Sequence, residues 1–84
     1  MEEIRIGKVT HYFGRIGVAV VSLTDPVKVG DVVRFKGRNT DFSQRVESMQ
    51  VEHKALSQAK PGDVVAIQVT GRVHEGDAVY KIVG

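Results

Sequence analysis

Apolar residues along this chain fall in short, β-branched runs set off by glycine, a pattern that predicts many short strands. Six are expected, over Ile4 to Phe13, Ile16 to Leu23, Asp31 to Gly37, Phe42 to His53, Val64 to Val69 and Ala78 to Val83. Lys54 to Ala59 is the one stretch whose pattern suits a helix. Val65, Ile67 and Val69 alternate with Val64, Ala66 and Gln68, as in a half-buried sheet. From Ile16 to Val21 both faces are apolar or small, which predicts that the second strand is the most central. In the fourth strand the alternation slips between Val46 and Met49, and a bulge is expected there.

The punctuation is more specific than the strands. Three times Gly-Asp precedes an apolar pair: Gly30-Asp31-Val32-Val33, Gly62-Asp63-Val64-Val65 and Gly76-Asp77-Ala78-Val79. Glycine can take a positive φ in such a turn, and the aspartate can cap it before the next strand. Short valine-rich strands are safest when the sheet has no exposed edge. The expected fold is therefore all-β, a small closed six-stranded barrel with Val18, Val20, Val33, Phe35, Val65, Ile67 and Val79 in its core.

Eighty-four residues suffice for one hydrophobic core, so a single domain over residues 1–84 is expected. Cysteine is absent, and packing alone must hold that core. Glu2 and Glu3 stand where a secretory leader would carry bases, and the longest apolar run, Val18 to Val21, is far below the roughly 18 residues of a membrane helix. A cytoplasmic location and no membrane partner are expected. Twelve Lys and Arg against ten Asp and Glu leave a formal charge of +2, so only a local cluster of bases can indicate an anionic partner.

One cluster exists. Arg34, Lys36 and Arg38 alternate, which on a strand places them on one face at a spacing of about 6 to 7 Å, near that of adjacent phosphates; Arg45 can join from the next strand. The pattern suits a solvated outer face as well as a nucleic-acid contact. Phe42, between the two basic segments, is a base-stacking platform if exposed and a plug of the barrel end if buried. Gly14-Arg15-Ile16-Gly17 has the letters of a nucleic-acid clamp that joins two helices, but here it falls between strands. His11, His53 and His74 lie on separate elements without ligand spacing, so no metal is expected. No phosphate-loop motif occurs, which predicts no GTP binding, and no other cofactor is indicated. Glu47 and Glu52, about 16 Å apart on an extended strand, cannot share acid-base work, and no nucleophile motif is present; the chain is expected not to be an enzyme.

The run Val46 to His53, then Ala55-Leu56 and Ala59 to Ile67, resembles the second domain of elongation factor Tu and related translational GTPases, and Val27 to Asp31, Gly14 to Val18 and Glu75-Gly76-Asp77 extend the likeness. Stand-alone translation-factor-like proteins and the terminal barrel of collagenase-like peptidases are similar too, around His11-Tyr12-Phe13 and Thr40-Asp41-Phe42. The resemblance implies the barrel, RNA or the ribosome as partner, and a pocket at Gln50, His53 and Gln68, where the family carries a glutamate, a base and an apolar wall residue. The leading expectation is a non-catalytic RNA- or ribosome-associated module. The alternative is a protein-protein adaptor, such as one for a collagenase-like peptidase, with a contact surface centred on Tyr12, Phe13 and Phe42.

Overall fold

The computed structural model describes residues 2–83, and these are all-β. Ten strands are formed: β1 (Glu2–Phe13), β2 (Val18–Leu23), β3 (Val27–Lys28), β4 (Val32–Gly37), β5 (Thr40–Arg45), β6 (Met49–Val51), β7 (Lys54–Leu56), β8 (Gln58–Ala59), β9 (Val64–Gln68) and β10 (Ala78–Val83). Eight make one antiparallel sheet in the order β5-β4-β10-β1-β2-β9-β6-β7, and β3 pairs with β8 in a separate ribbon. The Lys54 to Ala59 stretch, which suited a helix, is divided between β7 and β8.

The expected closed barrel is not formed: the ladder has two ends, β5 and β7. The physical cause lies where the alternation slips. The main chain of Val46 leaves the ladder to bond Gly30 and Asp31, so the expected fourth strand is cut rather than bulged, and its halves go to different parts of the sheet. The seam is bridged by a side chain instead. The Gln44 amide donates to the Gln68 carbonyl at 2.8 Å and accepts from the Thr70 N–H at 2.8 Å, so a primary amide stands in for a peptide group beside the β5 edge. Bulges do occur, but in β1, between Arg5 and Gly7 and between Val9 and His11, where that strand bends while pairing with both β10 and β2.

The Gly-Asp turns organise the rest. Gly30, Gly62 and Gly76 have φ of 99°, 92° and 91°, which a side chain would strain. In each turn the aspartate carboxylate accepts the N–H of the residue three before it: Lys28 to Asp31 at 3.0 Å, Lys60 to Asp63 at 3.0 Å, His74 to Asp77 at 2.8 Å. Each turn also grips one distant buried residue by both its peptide groups. Gly30 N–H donates to Val46 and Asp31 O accepts from it, at 2.9 and 2.8 Å; Gly62 and Asp63 hold Leu23 in the same way at 2.9 and 2.9 Å, and Gly76 and Asp77 hold Val9 at 2.7 and 2.8 Å. One device is thus used three times to satisfy main-chain groups that the ladders leave over.

The buried apolar residues form one cluster, which includes Val33, Phe35, Val65, Ile67 and Val79 as expected. Val18 and Val20 are not in it: β2 turns Ala19, Val21 and Leu23 inward, and Val18 and Val20 are half-buried on the opposite face. With both faces apolar, periodicity could not tell which one faced the core.

Candidate functional site

On β4 and β5 the register sets Val32 opposite Arg45, Arg34 opposite Ser43 and Lys36 opposite Asp41. Arg34, Lys36 and Arg45 therefore share one outer face, while Arg38 stands in the turn between the strands. Arg34 is not free on that face. Its Nε and Nη2 donate to the two oxygens of Asp41, both at 2.8 Å, and its Nη1 donates to Glu3 on β1 at 2.9 Å. These hydrogen bonds, to Asp41 first and Glu3 second, raise the Arg34 pKa, and those from Arg34 hold the Asp41 carboxyl below the usual aspartate range. A phosphate there would have to displace the Asp41 carboxylate, held in fork geometry, and the singly bonded Glu3. Phe42 points the other way, packed against the core and stacked on Phe35 with ring centroids 5.3 Å apart, so it plugs the fold rather than offering a platform.

Gln50, His53 and Gln68 do converge. They line one cleft of about 450 Å³ whose apolar wall is Val18 and Val20 of β2, Val64 and Ala66 of β9, and Phe13 and Ile16 at the β1–β2 turn. Three of these side chains are unusually bare, with Phe13 48%, Val64 52% and Ile16 67% exposed. The stacked rings of His11 and Phe13, 6.2 Å apart, make a ridge that ends at the cleft. The opposite rim is the β6–β7 hairpin, where Glu52 and His53 take φ of 51° and 66°. A two-residue turn with both positions left-handed normally takes Asn or Gly, and its occupants here are strained. Nothing in the letters Glu-His signals that turn. Tyr12, expected with Phe13 on an adaptor surface, instead packs partly buried against the core.

Thr40 and Asp77 are the buried polar residues of the described chain. Thr40 Oγ1 lies 3.0 Å from His74 Nδ1, and Asp77 Oδ2 lies 3.7 Å from the same nitrogen. A proton relay needs its two partners on different ring nitrogens, so this cluster orders a turn. Among the described residues no group of three His, Asp or Glu side chains is placed to hold a metal, and no helix is long and apolar enough to cross a membrane.

No family profile matches the chain. It is 35% identical over 81 residues to an uncharacterized protease of Methanocaldococcus jannaschii and 29% identical over 82 residues to a collagenase of Porphyromonas gingivalis. Each alignment covers 95% of this chain but 20% of the relative, so the chain spans about a fifth of the length of these curated proteins. Among solved structures, the C-terminal domain of a protein described as a U32 peptidase from Geobacillus thermoleovorans superposes with a TM-score of 0.88 at 26% identity, covering 94% of this chain and 92% of that one. GDP-bound aIF5B of Aeropyrum pernix superposes with a TM-score of 0.66 at 18% identity, covering 98% of this chain and 14% of that one, a likeness of fold alone. The expected kinship with translation factors is thereby overturned, and with it RNA or the ribosome as partner: both curated relatives are named as peptidases, and the structural match with high coverage on both sides is to a peptidase C-terminal domain.

Proposed function

We propose that this chain is a non-catalytic protein-docking module of the kind found at the C-terminal end of U32 peptidases, and that its cleft packs on a peptidase domain. The observation that carries the reading is the bare apolar wall of Phe13 on β1, Ile16 in the β1–β2 turn and Val64 on β9, on a face that a free-standing sheet would normally cover with polar side chains. The polar groups at its edge, Gln50, His53 and Gln68, suit the rim of a protein interface, where hydrogen bonds surround an apolar centre. Support for the partner comes from the peptidase relatives, which are about five times longer than the matched segment. The reading keeps a single domain over residues 1–84 and a cytoplasmic setting, and assigns no chemistry to the chain.

Co-expression with a U32-type peptidase deprived of its own C-terminal domain tests it. The two should co-elute in gel filtration, and Ile16→Asp with Val64→Asp should separate them while the chain stays folded, because both side chains are exposed. Elution of the unsubstituted chain by itself, or proteolysis by the chain alone, would refute the reading.

A further inference from the structure

A second concavity, of about 710 Å³, lies at the β3–β8 ribbon and shares no lining residue with the cleft. It is built on an internal repeat. Val27-Lys28-Val29-Gly30-Asp31-Val32-Val33 and Ala59-Lys60-Pro61-Gly62-Asp63-Val64-Val65 carry the same pattern, and the equivalent residues Val27 and Ala59 are paired across the antiparallel ribbon. Equivalent residues that pair in this way are related by a local two-fold axis, so Lys28 and Lys60 come to the groove from symmetric positions. Lys81 of β10 adds a third ammonium, anchored by a 3.0 Å hydrogen bond to the Pro26 carbonyl.

Asp31 and Asp63 also line the groove, so its three ammonium groups exceed its carboxylates by one, and none of the five is spent on a described partner side chain. Each turns a carboxylate oxygen back onto the main-chain N–H of its own turn, and among the described residues none of the three lysines forms an ion pair. Hydrocarbon from Pro26, Leu56 and Val83 lines the groove beside the lysines, over the buried Val27 and Ala59. The groove lacks the arginine forks and converging N–H groups that give phosphate recognition its geometry, and its two carboxylates disfavour a compact polyanion. Its lysines and hydrocarbon match a ligand that carries aliphatic and carboxylate side chains together.

We propose that this groove binds an acidic, apolar peptide segment, whose carboxylates meet Lys28, Lys60 and Lys81 while its aliphatic side chains cover Leu56 and Val83. The site does not depend on what fills the cleft.

The test is a titration of the isotopically labelled chain, followed by amide NMR, with an acetylated and amidated hexapeptide of alternating leucine and glutamate. Shifts should concentrate at residues 27–31 and 56–60 and around Lys81. The leucine-glutamine and leucine-lysine counterparts should not bind, and tripolyphosphate should bind more weakly than the acidic peptide. Replacing Lys28 and Lys60 together by Gln should weaken binding by about threefold to thirtyfold, the product of two solvent-facing charge pairs. The two single variants should each give part of that loss, and Arg38→Gln should give none. Equal affinity for the glutamine peptide, tighter binding of tripolyphosphate, shifts confined to the cleft, or no binding at millimolar peptide would each overturn the proposal.

Discussion

The outer face of β4 and β5 and the groove at β3 and β8 are both rich in cations, but their acids are used in opposite ways. On the β4–β5 face the Asp41 carboxylate of β5 clamps a side chain, Arg34 of β4, and Glu3 takes what remains of the guanidinium. In the groove Asp31 and Asp63 bond main-chain N–H groups, and the neighbouring lysines stay open. A count of bases along the sequence favours the first region. What decides whether a cation is available to a partner, however, is the direction in which the nearest carboxylate turns. The lesson is about commitment of acids, which is a three-dimensional property.

That contrast has consequences for stability. Asp63→Ala leaves the exposed Lys60 N–H to water and loosens a turn that also holds Leu23, so it should lower the unfolding free energy by about 0.5 to 1.5 kcal/mol, the net worth of an intramolecular hydrogen bond. Asp41→Ala removes a solvent-exposed ion pair and should cost less; urea denaturation of both variants checks the order, and a reversal would break the comparison.

A finer test is acid titration of Asp41. Its folded pKa is depressed, first by the hydrogen bonds from Arg34, so its contribution to stability is present above the unfolded aspartate value of about 3.9 and is lost as pH falls through the lower folded value. The parent should therefore lose stability more steeply in that acid window than Asp41→Asn does. In about 1 M salt, where the screening length is only about 3 Å, the two profiles should draw together. Identical profiles at low salt would mean that the pair adds nothing.

The parts of this fold that sequence reasoning reached are local. The positions of β1, β2, β4, β9 and β10, the positive φ at Gly30, Gly62 and Gly76, and the aspartate caps follow from a few adjacent residues. The parts it missed depend on register or on distant partners. Arg34 and Asp41 read as a basic stripe and an unrelated acid until the β4–β5 pairing sets them on one face. Val18 and Val20 were placed inside because their strand is apolar on both sides. At the cleft, Gln50, His53 and Gln68 were reached only through family resemblance; the apolar wall beside them required knowing which face of β2 turns outward.

The three turns that each hold one distant residue also impose an order of assembly. The chain between the gripping turn and its captive lengthens from Gly30 with Val46, through Gly62 with Leu23, to Gly76 with Val9. Each doubling of a loop adds about 0.6 kcal/mol to the entropy of closing it, so the first contact is the least costly to make early and the last gains most from structure already in place. β10 should then dock late, with φ-values near zero for Val79→Ala and higher values for Val46→Ala. Equal values at the two sites would show that the turns close together. On this view the β1–β10 ladder is the final zip of the molecule, and its own unfolding begins there.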